Sequence, residues 1–196
     1  MRSDEQPITG GNMKKKIIGI TGTFGAGKGT VADYLHKEEK FAHFSARTYL
    51  SLVLEERGQP INLNTLHDVA NELRGQYGPS HIAEKLIEMA RETEGNAVIE
   101  SLRAVAEAQK LLEAGGVLLA VDADQRIRYE RIVARRSETD FITFEEFQRQ
   151  ERRQMQSTDP TKQNISAVMN MAHVRIFNNG TLEELERQIE QALCTL

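Results

Sequence analysis

The chain has 196 residues, a net charge of −4 and a single cysteine, Cys194. This length is typical of one domain and too short for two ordinary domains. One cysteine cannot form an internal disulfide, which excludes a disulfide-stapled secreted scaffold and predicts a reducing, cytoplasmic location. The negative charge argues against a protein that coats nucleic acid. The apolar runs, such as Val117 to Val121, are too short to span a membrane.

The first thirteen residues are polar, contain glycine and show no hydrophobic periodicity. We expect residues 1–13 to form a disordered extension and residues 14–196 to form one ordered domain. The start of the chain does not resemble a signal peptide, because its basic residues are followed by only Ile17 to Ile20 before a polar, glycine-rich stretch.

Short apolar runs alternate along the chain with segments of helical periodicity. The first run, Ile17 to Ile20, is continuous, as expected for a strand that is buried on both faces. Further strands are predicted over residues 41–45, 97–99, 117–121 and 174–177. Helices are predicted over 47–57, 63–73 and 105–112, and after Pro79-Ser80, Asp124, Thr143 and Thr181. Five strands that alternate with helices predict an α/β fold with a five-stranded parallel sheet covered on both faces.

A glycine-rich segment, residues 22–30, follows the first predicted strand and opens a predicted helix. Glycines let backbone N–H groups turn toward phosphate oxygens, and the helix N-terminus adds partial positive charge. Lys28 is expected to reach the β- and γ-phosphates of a nucleotide. The next position usually holds a Ser or Thr that helps to bind magnesium, but here it is Gly29. The pattern predicts a phosphate loop whose nucleotide-binding residues are Gly22, Phe24, Gly25, Ala26, Gly27, Lys28, Gly29 and Thr30.

The Gly-Lys-Gly-Thr ending of this loop resembles the nucleoside monophosphate kinases, the adenylate-kinase-like branch of P-loop proteins. The resemblance covers residues 16–192. It implies a three-layer P-loop NTPase fold, ATP and Mg²⁺ as cofactors, and transfer of the γ-phosphoryl group of ATP to a small-molecule nucleotide. In this branch magnesium is held largely through water and phosphate oxygens. Thr30 and, through water, Glu100 are then its implied contacts.

Two further motifs agree with this resemblance. Residues 98–103 resemble the family's acidic residue at a strand end, Glu100, followed by an arginine that grips the acceptor's phosphate, Arg103. Residues 131–135 resemble the arginine pair before the lid, in which Arg131 stacks on the ATP base and Arg135 contacts phosphates. The implied catalytic residues are Lys28, Glu100, Arg103 and Arg135, and no residue stands out as an essential general base.

The resemblance also implies a helical acceptor-binding region over residues 46–93 and a helical lid over residues 137–170. Arg47 lies where the family begins its acceptor-binding helices. Arg74 is a second candidate for binding the acceptor, although an ion pair with Glu72 is an alternative.

Arginine is concentrated near the predicted lid, where residues 126–153 contain eight arginines and no lysine. Guanidinium groups bind phosphate through two parallel hydrogen bonds and stay charged. We expect at least one of Arg149, Arg152 and Arg153 to bind substrate phosphate when the lid closes, with Arg153 as the substrate-binding candidate, and a surface ion pair is an equal alternative for each of them. The alternative is a solvated helical face with surface ion pairs, which we favour for Arg126, Arg128 and Arg136.

Three functions remain open, and the leading one is transfer of the γ-phosphoryl group of ATP, with GTP as an alternative donor, to a nucleoside or deoxynucleoside monophosphate. Arg47, with residues 58–62, 71–74, 137–140 and 157–160, resembles a kinase-like P-loop domain fused to some deoxycytidylate deaminases, which implies deoxynucleotide metabolism. Residues 171–181 resemble dephospho-coenzyme A kinase, although that family usually has Ser or Thr after the loop lysine. A nucleotide sensor that regulates a partner is the third hypothesis. The chain is expected to be a monomer or homodimer.

The histidines are given no functional role at this stage. His36, His43, His67 and His81 lack the spacing of metal ligands and are interpreted as surface or hydrogen-bonded side chains. His173 is interpreted as structural.

Overall fold

The structure is a computed structural model that describes residues 15–134, 143–157, 159 and 162–196, without the side chains of Leu63 and His67. The predicted extension over residues 1–13 and the catalytic candidate Arg135 therefore lie outside the described residues. So does the start of the predicted lid.

The described strands form one parallel sheet, which confirms the predicted α/β fold. They are β1 (Ile17–Gly22), β2 (Ala42–Ser45), β3 (Ala97–Glu100), β4 (Val117–Asp122) and β5 (Val174–Phe177). Their order across the sheet is β2-β3-β1-β4-β5. The first strand of the chain, β1, therefore lies at the centre of the sheet. Its neighbours are β3, which precedes Arg103, and β4, which precedes the arginines of residues 126–153.

The helices of the described residues lie on both faces of this sheet. They are α1 (Lys28–Lys37), α2 (Ala46–Glu56), α3 (Leu63–Tyr77), α4 (His81–Glu92), α5 (Val105–Glu113), α6 (Gln125–Ala134), α7 (Phe144–Met155), α8 (Ile165–Asn170) and α9 (Leu182–Thr195). Alternate residues of a strand point to opposite faces. Ile17 and Ile99 thus pack with α2 to α5 and α8, whereas Ile18 and Val98 pack with α1 and α9. The result is a three-layer fold.

Two helices differ from the sequence prediction. Helix α3 continues to Tyr77 rather than ending at Leu73. The added turn buries Arg74, and Gly75 stays within the helix with no atom within 4 Å of its Cβ position. Helix α8 was not predicted, since its six residues are too few to show periodicity. The helix starts predicted at Thr143 and Thr181 are confirmed, because each hydroxyl accepts a hydrogen bond from the N–H three residues later.

The carboxyl ends of β1, β3 and β4 meet at one edge of the sheet. Ile20 pairs with Glu100 on β3, and Gly22 pairs with Val121 on β4. Ser101, directly after β3, has a left-handed φ of 74°. Its N–H and that of Leu102 both donate to the Ile20 carbonyl at 3.0 Å, which holds this turn in place. Ligands bind at this edge of open α/β sheets, so the turn marks the candidate site.

The backbone of Phe177, at the end of β5, is bound by a side chain. The Gln188 Oε1 accepts the N–H of Phe177 at 3.1 Å, and the Gln188 Nε2 donates to the Phe177 carbonyl, also at 3.1 Å. The amide of Gln188 thus satisfies both backbone groups of this one edge residue.

Candidate active site

The phosphate loop connects β1 to α1 and requires glycine at three positions. Gly22, Gly25 and Gly27 have φ values of 143°, 81° and 95°. A Cβ at Gly22 would lie 1.9 Å from the Val121 carbonyl oxygen, and one at Gly27 would lie 2.4 Å from the Asn178 Nδ2. Both the backbone conformation and the available space therefore exclude side chains here.

The loop presents N–H donors at the start of a helix. Among the described residues, the N–H groups of Gly25, Gly27, Gly29 and Thr30 have no hydrogen-bond acceptor. The N-terminus of α1 adds partial positive charge beside them. This concave set of donors fits the phosphates of a nucleotide.

Gly29 differs from the other loop glycines. A Cβ there would meet only the Glu100 Oε1, at an ordinary contact distance of 3.7 Å. The structure therefore has room for the Ser or Thr that many phosphate loops carry at this position. The nearest hydroxyl in sequence is that of Thr30, which lies on an exposed residue.

Lys28 lies over the loop that precedes it. Its Nζ donates to the carbonyls of Gly22 and Thr23 at 3.1 and 2.8 Å. The hydroxyl of Thr23 in turn donates to the Asp122 Oδ1 at the end of β4, at 2.7 Å. These contacts place the ammonium group at the mouth of the loop, where it can bind phosphate oxygens.

Glu100 lies at the carboxyl end of β3 and binds His43 on β2. The His43 Nε2 and Glu100 Oε2 are 3.2 Å apart, and the two side chains are 25% and 20% exposed. Burial raises the pKa of Glu100, but the hydrogen bond from His43 and the nearby Lys28 and Arg103 cations outweigh burial, so the pKa is lowered overall. Glu100 is thus an anion that faces the phosphate loop.

Arg103 is partly buried on the other side of the Ser101 turn. Among the described residues, its guanidinium group has no hydrogen-bond or ion-pair partner. Burial is the largest effect on Arg103 and lowers its pKa, which stays lowered despite two nearby carboxylates. A partly buried cation without a bonded anion favours an anionic ligand at this position.

Arg74 has a protein partner, and that partner is Glu107 rather than the expected Glu72. The Arg74 Nη2 lies 2.8 Å from the Glu107 Oε1, and the side chains are 7% and 3% exposed. Glu72 pairs instead with Arg57. The Glu107 Oε2 also accepts the N–H groups of Arg103 and Ala104, at 2.8 and 3.0 Å. Arg74 is therefore linked through Glu107 to the backbone of Arg103. Its direct contact with an acceptor stays a prediction.

Arg131 lies on α6 and contacts Asn178, the residue after β5. The Arg131 Nη1 donates to the Asn178 carbonyl at 2.8 Å. The Asn178 Nδ2 donates to the carbonyl of Ala26 in the phosphate loop at 2.9 Å. Arg131 thus lies close to the phosphate loop, and its contact with the donor base stays a prediction.

Helix α7 is attached to the phosphate loop. Phe147 is fully buried and stacks on Phe24 with ring centroids 6.1 Å apart. The Arg128 Nη1 donates to the Phe24 carbonyl at 3.1 Å and also pairs with Glu151. Arg128 was expected on a solvated face, but it is buried because this ion pair joins α6 to α7.

The remaining arginines of the sequence prediction lie at the surface or beyond the described residues. Arg47 and Arg153 are exposed, on α2 and α7. Arg126 forms the expected surface pair with Glu130, and Arg149, for which both alternatives were open, pairs with Glu146 at the surface. Arg135 and Arg136 are not among the described residues. The structure thus gathers Lys28, Glu100 and Arg103 at one edge, and the phosphate contacts of Arg47 and Arg153 stay predictions.

The oxygen donors at this edge suit Mg²⁺. Within the described ranges, no group of three or more His, Cys, Asp or Glu residues could hold a metal ion. A hydroxyl, Thr30, and a carboxylate, Glu100, lie beside the phosphate loop, and Mg²⁺ prefers few protein ligands together with phosphate oxygens and water. These residues fit Mg²⁺ that arrives with a nucleotide.

Three contributors to the site were not predicted. His43, Glu107 and Asn178 each bind a predicted site residue or the segment around it. His43 was interpreted only as a surface or satisfied histidine. Its position two residues before the end of β2 is the one signal that could have placed it at the carboxyl edge.

Comparison with known protein families matches residues 18–159 to the AAA domain. The chain belongs to the AAA domain family. Relatives of this AAA domain include the UPF0200/UPF0201 protein of Archaeoglobus fulgidus, 28% identical over 193 residues that cover 94% of this chain and 57% of the relative. The chain thus spans little more than half of that protein's length. The UPF0200 protein of Pyrococcus horikoshii is 28% identical, with coverage of 90% of this chain and 95% of the relative.

Solved structures show the same fold as this AAA domain. TT1252 from Thermus thermophilus superposes with a TM-score of 0.62 at 22% identity, covering 93% of this chain and 98% of the other. Shikimate kinase from Bacteroides thetaiotaomicron gives 0.55 at 14% identity, covering 92% and 99%. A gluconokinase from Sinorhizobium meliloti 1021 gives 0.54 at 15% identity, covering 92% and 91%. The predicted P-loop, kinase-like fold is confirmed, and the narrower resemblance to a deaminase-fused domain stays a prediction.

No helix in the described part of this AAA domain is long and apolar enough to cross a lipid bilayer.

Proposed function

We propose that the protein transfers the γ-phosphoryl group of ATP, with Mg²⁺, to a nucleoside or deoxynucleoside monophosphate. The observation that carries this proposal is the Arg103 guanidinium, which is partly buried near the phosphate loop and has no partner among the described residues. A monophosphate acceptor would supply the anion that this cation lacks.

The other groups of the edge fit the same reaction. The loop N–H donors and Lys28 would bind the donor phosphates, and Thr30 and, through water, Glu100 would hold the Mg²⁺ that comes with them. Bound Mg²⁺ would neutralise the charge that builds up on the phosphate oxygens. Phosphoryl transfer needs positioning and electrostatic stabilisation more than acid–base chemistry, which agrees with the lack of an obvious general base.

The kinase-like neighbours support the reaction class but differ in acceptor. Shikimate kinase and gluconokinase are named for acceptors that carry hydroxyl groups. A carboxylate on such an acceptor could also bind Arg103. We favour the monophosphate because the Gly-Lys-Gly-Thr ending of the loop and the segment from Glu100 to Arg103 resemble nucleoside monophosphate kinases.

The test is ADP release from ATP and Mg²⁺ with each ribo- and deoxynucleoside monophosphate, and with dephospho-coenzyme A, shikimate and gluconate as hydroxyl acceptors. We expect one monophosphate to stimulate turnover, Lys28→Ala to abolish it, and Arg103→Gln to raise KM for the acceptor far more than KM for ATP. Stimulation by a hydroxyl compound alone would overturn the proposed acceptor class. ATP binding without any stimulated turnover would favour the nucleotide sensor.

A further inference from the structure

The Glu100 carboxylate binds His43. Its negative charge alone would favour binding to the nearby cation of Arg103. Glu100 and Arg103 lie within electrostatic reach of each other, since each shifts the pKa of the other. They nevertheless form no hydrogen bond or ion pair in the structure. The Glu100 Oε2 binds the His43 Nε2 at 3.2 Å instead. A carboxylate that is four-fifths buried would otherwise gain by binding the nearby Arg103 cation, which has no bonded partner among the described residues.

We propose that His43 is a positioning residue that keeps the Glu100 carboxylate away from Arg103. The proposal rests on the proposed function, because it takes Arg103 as the group that binds the acceptor's phosphate. Because the Glu100 Oε2 is bound to His43, the other carboxylate oxygen, Oε1, faces the phosphate loop. It lies 3.7 Å from the Cβ position of Gly29. The guanidinium group of Arg103 then keeps its donors for an incoming phosphate.

The backbone geometry supports this role. His43 pairs with Val98, and Glu100 lies two residues further along β3. His43 and Glu100 thus share one face of the sheet, as diagonal neighbours within reach of each other. Ser101, with its φ of 74°, separates Glu100 from the Arg103 segment and sends that segment toward Arg74 and Glu107. A neutral His43 that donates from Nε2 is sufficient, since a carboxylate only accepts.

The experiment titrates inorganic phosphate into the protein saturated with Mg²⁺ and a non-hydrolysable ATP analogue, and follows binding by NMR. The analogue fills the phosphate loop as far as the γ-phosphate position beside Lys28, so added phosphate reports on the position at Arg103. His43→Ala is expected to weaken phosphate binding about tenfold, as expected when one charge-assisted hydrogen bond is lost to an internal competitor. Adding Glu100→Gln to His43→Ala is expected to restore binding, because it removes the competing charge. His43→Gln, which keeps an N–H donor, is expected to bind like the wild type.

His36 provides a matched control. Its ring lies 6.4 Å from that of His43, but its Nδ1 contacts only the Phe41 carbonyl, at 2.8 Å. His36→Ala should leave phosphate binding unchanged. If His43→Ala does not fold, His43→Phe fills the same space without a donor and is interpreted in the same way.

Two outcomes overturn the proposal. Unchanged phosphate binding in His43→Ala would show that Glu100 does not compete for Arg103. Weakened binding that Glu100→Gln does not restore would show that His43 acts only through local structure. The proposed function is tested separately by Arg103→Gln: if this variant binds phosphate like the wild type, the assignment of Arg103 fails and the role of His43 fails with it.

Discussion

Glu107 joins Arg74 on α3 to the backbone that carries Arg103. Its Oε1 accepts from the Arg74 Nε and Nη2 at 3.2 and 2.8 Å. Its Oε2 accepts from the N–H groups at the start of α5. One buried carboxylate thus holds α3, in the predicted acceptor-binding region, against the segment after β3. That segment carries Arg103, the residue proposed to bind the acceptor's phosphate.

Glu107→Gln is expected to destabilise the protein by about 3–5 kcal/mol, because it leaves the buried Arg74 cation without its anion. Glu72→Gln is the control, since it breaks the Arg57 pair, whose side chains are 35% and 51% exposed. Water screens that exposed pair, so its loss should change the free energy of unfolding far less than the loss of the buried pair. Urea unfolding of both variants measures the difference, and equal losses would contradict the structural importance of the buried pair.

Arg103→Met is expected to raise the free energy of unfolding by about 1 kcal/mol while it removes acceptor binding. The lowered pKa of Arg103 means that the fold disfavours its charged form, and an apolar side chain avoids that cost. Arg152→Met, at an exposed position of α7, should change stability by less than about 0.5 kcal/mol. Thermal unfolding of the three proteins checks the order, and a less stable Arg103→Met would show that Arg103 has a structural role.

Gly27→Ala and Gly29→Ala are expected to differ although they are two residues apart. At Gly27 the φ of 95° and the Asn178 Nδ2 at 2.4 Å oppose a side chain. The strain costs about 1–3 kcal/mol and should abolish ATP binding by displacing the loop. At Gly29 the nearest atom is 3.7 Å from the new Cβ, so stability should stay within about 1 kcal/mol of the wild type. Calorimetric ATP titration and thermal unfolding test both variants; similar behaviour would contradict the loop geometry.

Tyr34 is expected to make stability depend on alkaline pH. Burial and the hydrogen bond from its phenol to the Glu190 carboxylate raise the pKa of Tyr34 from 10.0 to about 12. The folded protein therefore holds this proton more tightly than the unfolded chain. The resulting stability is fully present below pH 10.0 and is lost as the pH rises toward about 12.

Tyr34→Phe should remove this contribution and flatten the loss of stability over that range. The absorbance of tyrosinate should show that Tyr34→Phe removes one late-titrating tyrosine of the four in the wild type, while Tyr49, whose pKa is also raised by burial, still titrates above the ordinary range. A variant that titrates and unfolds like the wild type would contradict the assignment.

The sequence predicted the parts of the site that are local in the chain. The phosphate loop was recognised because its glycines, its lysine and the flanking strand lie within about a dozen residues of each other, as the motif requires. The contacts that complete the site join distant positions. His43 and Glu100 are 57 residues apart, and Asn178 and Ala26 are 152 residues apart.

Such contacts leave no periodic pattern, because they depend on strand order. Arg128 shows the same limit. The sequence of α6 alone predicts a surface position for Arg128. The packing of α7 against α6 brings Glu151 to Arg128 and buries both side chains. The partner of Arg74 could not be predicted either, because Glu107 lies 33 residues away while Glu72 is next but one in the chain.

The amide of Gln188 has a consequence for how copies of this chain can associate. Exposed strand edges allow sheets of different molecules to join and grow into aggregates. Phe177 cannot pair with a strand of another molecule unless Gln188 first leaves both of its hydrogen bonds. Arg175, exposed on the same strand, adds a charge that opposes such joining. A homodimer of this protein is therefore not expected to form by a sheet that continues across the Phe177 end of β5.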